Sequence, residues 1–382
     1  MKLFMQLVSA EVSAAVGAFD DITLSQEELQ KLLTLSSAHD MAHIVGAALE
    51  SYGLLADGSP EAAQFAKQKL LAVFRQEQLN YALTRTAEAL STAEIRFLPL
   101  KGAVMREYYP EPWLRTSSDI DILVEPCNLE RAITHLGECH GYRLDRRSSH
   151  DVSLYTPEGV HVELHYDLIG EGLVAKAHEV LAEVWQDATP VEGQPYHYRS
   201  SDAFFYFYHI AHMAKHILQG GCGIRPLLDL WLLSRHCPDA AAREALLERG
   251  GLSRFAAVAH NLAEGWFSGG VLDEAAQKMQ EYVLQAGVYG TKRNYIKMKQ
   301  SKRGGRLGYA LSKIFLPYDV IKYQYPVLQK RRWLTPFYEV HRWCRLIFCG
   351  GARRSLHELS VNAAQSREDM RETAAFIDSI GL

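Results

Sequence analysis

No stretch of the chain approaches the ~20 uninterrupted apolar residues that a membrane-crossing helix needs, so no span is expected. The segment Met1–Gly17 carries one lysine and one glutamate, and it lacks the basic opening and small-residue cleavage site of a secretory signal. Cysteine is sparse, and Cys127, Cys139, Cys222, Cys237, Cys344 and Cys349 form no CxxC pair and no zinc spacing. They read as free thiols of a reducing compartment, and the expected location is the cytoplasm. Internal repeats and low-complexity tracts are missing as well. With 48% apolar and 23% charged residues, a mostly disordered or collagen-like chain is excluded.

At 382 residues the chain is long enough for two or three domains. Its charge is unevenly spread. Between Lys292 and Arg354 sixteen Lys/Arg face only Asp319 and Glu339, a local balance of +14 that leaves −18 for the rest of a chain whose total is −4. A basic section on an acidic body can meet a polyanion. Aromatics such as Tyr295, Tyr309, Trp333 and Trp343 are interleaved with those charges. Three readings stay open for residues 292–354: nucleic-acid binding, contact with an anionic membrane surface that makes the protein peripheral, or packing of the aromatics against the acidic body. Arg342–Phe348 is the stretch that suits a membrane-surface helix.

Four segments follow from patterning. Residues 1–92 read as helical: Ser25 precedes Gln26-Glu27-Glu28, Leu29, Leu32, Leu33 and Ser36 repeat at helical spacing, and Pro60 opens a longer helix. Residues 93–200 begin as strands at Ile95–Leu100, Asp119–Glu125, Tyr142–Leu144, Val152–Tyr155 and Val160–Tyr166, with helices at Ala103–Tyr109 and Leu129–Cys139. Thr156-Pro157-Glu158-Gly159 predicts an antiparallel hairpin. Helix returns over 201–290 behind the Ser201-Asp202 cap, and 291–382 is the basic, aromatic-rich helical section. The order of elements gives an α+β fold, not a doubly wound sheet.

The informative stretch is Leu98–Tyr166. In Asp119-Ile120-Asp121-Ile122-Leu123-Val124 the strand period of two turns both aspartates to one face and the isoleucines to the other. Two such carboxylates call for a cation, and hard oxygen ligands suit Mg²⁺ or Mn²⁺. On Val160–Tyr166, His161, Glu163 and His165 share one face. If the two strands are neighbours, Glu163 becomes a third acid, and three acids can hold two divalent ions around a phosphoryl transfer. Pro99-Leu100-Lys101-Gly102 leads from a strand into a helix: Gly102 lets the backbone approach a phosphate and Lys101 adds a cation. Arg115 offers a guanidinium to a triphosphate. Singly, each of these features is also found on ordinary solvated surfaces; their order along the chain carries the argument.

That order resembles the DNA-polymerase-β-like nucleotidyltransferase superfamily. Leu100-Lys101-Gly102, Arg115, Ser118–Val124 and Val162-Glu163-Leu164-His165 are similar to a bacterial family of uncharacterised nucleotidyltransferases, as are His212–His216 and Ile224–Leu230 downstream. In that family Lys-Gly stands where many superfamily members have Gly-Ser, so Ser117 or Ser118 is left as the serine near the phosphates. The resemblance implies a polymerase-β-like palm flanked by N-terminal and C-terminal helical segments. It implies that Asp119, Asp121 and Glu163 hold two Mg²⁺ (or Mn²⁺) ions. Lys101, Gly102, Arg115 and Ser118 would hold an NTP, and an NMP would pass to an unknown hydroxyl or phosphate acceptor. Two alternatives remain: a catalytically silent nucleotide-binding scaffold, and a nucleic-acid-binding protein that modifies RNA ends.

His209, His212 and His216 recur at i, i+3 and i+7, followed by Arg225 and Asp229. They read either as a zinc site or as a polar face in which His212, His216, Arg225 and Asp229, with His165, line the substrate cleft.

Overall fold

A computed structural model of the protein describes residues 1–13, 19, 22–55, 58–168, 175–237, 239–286, 315–316, 318–325, 327–348 and 367–382. Four helices come first: α1 (Lys2–Ser13), α2 (Gln26–Ala38), α3 (Ala42–Ser51) and α4 (Pro60–Thr92). Helix α2 begins in a complete capping box, because Ser25 Oγ accepts the Glu28 N–H while the Glu28 carboxylate accepts the Ser25 N–H. Its buried stripe is Leu29, Leu32, Leu33 and Ser36. Pro60 stands at the first turn of α4 behind the Ser59 cap.

Among the described residues the sheet has seven strands: β1 (Phe97–Pro99), β2 (Asp119–Val124), β3 (Arg143–Arg147), β4 (Asp151–Tyr155), β5 (His161–His165), β6 (Thr189–Val191) and β7 (Gln194–Arg199). Their spatial order is β3-β4-β5-β2-β1-β7-β6. Strand β2 runs antiparallel to β1 and parallel to β5, so the sheet is mixed and the fold is α+β. The turn Thr156–Gly159 joins β4 to β5 as an antiparallel hairpin, with Gly159 at φ +86°. Between strands, α5 (Gly102–Met105) continues as a 3-10 turn over Arg106–Tyr108, and α6 (Leu129–His140) stops at Gly141, whose φ is +72°. Strands β6 and β7 go beyond the sequence expectation. Pro190 and Pro195 mask them, and both proline positions lie in the short hairpin at the sheet edge.

After the sheet come α7 (Ala175–Leu181), α8 (Val184–Asp187), α9 (Asp202–Leu218), α10 (Ile224–His236), α11 (Ala240–Gly250), α12 (Ser253–Phe267) and α13 (Glu274–Ala286). Ser201 caps α9 by accepting the Phe204 N–H. Two cores result. Ile120, Ile122, Val124, Val162 and Leu164 pack against Leu79 and Leu90 of α4 and Leu136 of α6. A larger core joins Phe4, Leu7 and Val45 from the first helices to Phe207, Leu228 and Phe255 from α9, α10 and α12. Helical segments far apart in sequence thus share one interior, with α1 packed on both α3 and α12.

In the C-terminal section, helices at Tyr318–Gln324, Val327–Lys330, Thr335–Phe348 and Arg367–Ser379 are described. Ile321, Tyr325 and Leu328 form a small core of their own. Within Arg342–Phe348, Arg342 is buried and ion-paired to Glu339 at 2.7 Å, and outside that stretch Phe315, Trp333 and Phe337 are exposed. Much of the basic stretch, residues 292–314 and 349–354 with Tyr295, Tyr309 and Cys349, lies outside the described residues. No helix of the described residues is long and apolar enough to cross a membrane, and their cysteines are all free.

Candidate active site

Strand alternation builds the centre of the site. Ile120, Ile122 and Val124 are buried in the core beneath β2, which turns Asp119 and Asp121 to the opposite face. Parallel pairing with β5 sets Asp121 opposite Glu163, and Asp119 opposite His161. Asp121 Oδ1 accepts two hydrogen bonds, from Lys101 Nζ at 2.7 Å and from His165 Nε2 at 2.8 Å. His165 Nε2 also lies 3.5 Å from Glu163 Oε2, and His161 Nε2 lies 3.9 Å from Glu163 Oε1. Ligand atoms of Asp121, Glu163 and His165, and of Asp119, His161 and Glu163, form two groups each compact enough to hold a metal ion.

The two aspartates titrate in opposite directions. Burial works to raise the Asp121 carboxyl, but the Lys101 ammonium and the His165 hydrogen bond overcome it and hold the group well below its ordinary value. At Asp119 burial and the neighbouring Asp121 charge outweigh the Lys101 and His161 charges and raise the carboxyl. The His165 hydrogen bond lowers Glu163. His165 is raised: burial and Lys101 oppose its protonation, and the bonds to Asp121 and Glu163 prevail.

Lys101 is held in an unusual backbone conformation, φ +46° and ψ −118°, which favours glycine. Its neighbour Gly102 is closely covered, and a Cβ there would stand 3.3 Å from Ser117 Oγ. The Ser117 hydroxyl accepts a bond from Arg106 and donates to the Asp119 carbonyl at 3.0 Å. Ser118 lines the cavity beside it. Arg115 is not a free guanidinium, because its Nε donates to both oxygens of the buried Asp229 at 2.8 and 3.0 Å. Tyr109 completes that group by donating its hydroxyl to Asp229 Oδ1 at 2.7 Å. Arg225 pairs with Asp40, from the corner between α2 and α3.

The three helix histidines do not act as one set. His209 Nε2 bonds the Pro226 carbonyl at 2.8 Å, whereas His212 and His216 face each other with Nε2 atoms 3.3 Å apart. Among the described residues no third metal-ligating side chain joins that pair. Burial lowers His216 to about 4, and Lys215 and Lys101 add to the effect.

All of these groups except Arg106, Tyr109, His161 and His165 border one cavity of about 1330 Å³ that runs from the Lys101 turn past β2 and β5 to α9 and α10. Several groups in the cavity wall or directly behind it escaped the sequence reading. Buried Arg106 is lowered to about 10 by burial and by Arg115. The Tyr208 hydroxyl is buried with no hydrogen-bond partner. Lys215 reaches from α9 to within 3.4 Å of His150 Nε2. The Ser148-Ser149-His150-Asp151 run that leads into β4 was the one legible signal, since it places short polar side chains and an imidazole at a strand entry.

Neither the curated proteins nor the solved structures contain a match to this chain. Residues 25–268 do match a family described as uncharacterised nucleotidyltransferase, and this stretch holds every described strand, the three acids, the Lys101 turn and helices α9 and α10. The chain belongs to that uncharacterised nucleotidyltransferase family.

Proposed function

We propose that the β1–β5 unit is a polymerase-β-like palm and that the protein moves an NMP from an NTP to a hydroxyl or phosphate acceptor, releasing pyrophosphate. The observation that carries this reading is the pairing of Asp121 with Glu163 across β2 and β5, with Asp119 on the same face, at the wall of a cavity larger than one nucleotide needs. Three hard carboxylates on adjacent strands fit Mg²⁺ or Mn²⁺ in donor chemistry. Two such ions, when bound, would neutralise the triphosphate and clamp the attacking and leaving oxygens.

The chain's own side chains do the positioning. Lys101 and His165 keep Asp121 ionised and fix its orientation. The Gly102 turn allows the backbone to approach the triphosphate, beside Ser118. Arg115, neutralised by Asp229, shapes the wall and leaves the phosphates to other donors. As the acceptor oxygen bonds the α-phosphorus, its proton passes to Glu163, and the bond from that phosphorus to the bridging oxygen breaks. The gain comes from alignment and charge neutralisation.

Calorimetry with each NTP, with and without Mg²⁺, tests the assignment on wild type and on the Asp119→Asn/Asp121→Asn double variant. Metal-dependent binding that vanishes in the double variant is expected. Binding that survives it unchanged removes the carboxylates from the site, and binding without turnover favours the silent scaffold. We further propose that residues 292–354 meet an anionic partner; affinity for RNA or anionic vesicles that does not fall with salt would refute this.

A further inference from the structure

We propose that His150, Asp151 and His165 form a separate transition-metal position, zinc being the ion their chemistry fits, beside the three-carboxylate face. The β4–β5 register sets Asp151 directly opposite His165, and His150 immediately precedes β4. One ligand atom from each of the three residues falls within 4.8 Å of the others.

Two buried atoms point to a missing ligand. His165 is 1% exposed; its Nε2 bonds Asp121, yet its Nδ1 is buried with no hydrogen-bond partner. Asp151 is 5% exposed; its Oδ2 accepts from Ser148 Oγ at 2.8 Å, yet its Oδ1 is buried and unpartnered. Buried polar atoms are seldom left in this state. A histidine that gives one ring N–H to a carboxylate and keeps the other nitrogen bare has the arrangement of a metal-ligating histidine, with Asp121 as the orienting carboxylate. Two imidazoles and one carboxylate match zinc, whereas the hard oxygens of Asp119 and Glu163 suit Mg²⁺. Three protein ligands leave a position open toward the cavity, which His150 and Asp151 line.

Lys215 competes for this position. Its ammonium lies 3.4 Å from His150 Nε2 and repels a dication, so the ion must displace it. The site does not rest on nucleotidyl transfer, because its ligands are assigned from the geometry of β4, the preceding His150 and β5.

The test is Co²⁺ titration of the full-length protein in excess Mg²⁺, read by the visible absorption of nitrogen-ligated Co²⁺, with zinc-edge anomalous diffraction as the positional check. One equivalent retained against Mg²⁺ is expected. Affinity should fall at least about tenfold in His150→Ala and in the shape-preserving Asp151→Asn, and rise in Lys215→Met. It should be unchanged in Asp119→Asn, the variant that tests the nucleotide site separately. No Co²⁺ held in excess Mg²⁺, or equal affinity in wild type and His150→Ala, would overturn the proposal. Loss of Co²⁺ in Asp119→Asn alone would assign the ion to the carboxylate face and overturn it equally.

Discussion

Asp119 and Asp121 stand two residues apart on one strand face, and replacing each by asparagine should move stability in opposite directions. Asp119 is raised by burial and by the Asp121 charge, so its contribution to folding is lost as pH climbs through the acidic range. Asp119→Asn should therefore raise metal-free stability by about 1 kcal/mol while abolishing turnover, the usual conflict between stability and a charged site. Asp121 is lowered, and its contribution is present above the ordinary carboxylate range and lost as pH falls through the depressed value. Asp121→Asn strands Lys101 and His165 and should cost about 3 kcal/mol. Thermal melts of both variants in chelator decide the matter, and shifts of the same sign would contradict this account. His165, being raised, contributes fully below its unfolded value of ~6.5 and loses that contribution as pH rises through the folded one. His165→Gln should remove that alkaline slope from a plot of melting temperature against pH. Lys101→Met should weaken NTP binding about tenfold, and unchanged affinity in calorimetry would exclude Lys101 from the phosphate site.

At the scale of elements, what was legible in the sequence is what a local period encodes. Asp-Ile-Asp-Ile on β2 and His-Val-Glu-Leu-His on β5 display their faces by alternation, and Ser25, Pro60 and Ser201 mark helix starts through local chemistry. What one element does to another was hidden. Helical spacing put His209, His212 and His216 on one side of α9, but seven residues span about 10 Å along the helix axis, and α10 offered His209 the Pro226 carbonyl. Arg115 looked free because Asp229, 114 positions away, gives no local sign of its approach. The α9–α11 contact is similarly invisible. Gly250 lies so close to the buried Phe207 ring that a Cβ would overlap it. Gly250→Ala should destabilise by about 2 kcal/mol and shift α9, with it the His212–His216 wall. A melting temperature equal to that of wild type would show that α11 can give way.

For the whole molecule, the decisive fact is that the first helices and α9–α13 have one interior. Phe4 is fully buried there, and Phe4→Ala should cost about 3–4 kcal/mol and lower a single melting transition shared by the helices that precede and follow the sheet in sequence. Two separated transitions in calorimetric melting would mean that the two sets unfold independently. The same architecture imposes an order on biosynthesis. Helix α1 finds α3 early, but its full burial waits for α12, which begins at Ser253. At ribosomal rates of about 5–20 residues per second, Phe4, Leu7 and Val8 keep apolar surface uncovered for roughly 10–50 s while the sheet and α9 are still being made. A nascent chain with that surface uncovered has the character of a holding-chaperone client, and the candidate cleft, whose wall pairs Asp40 with Arg225, can close only after α10 has been translated.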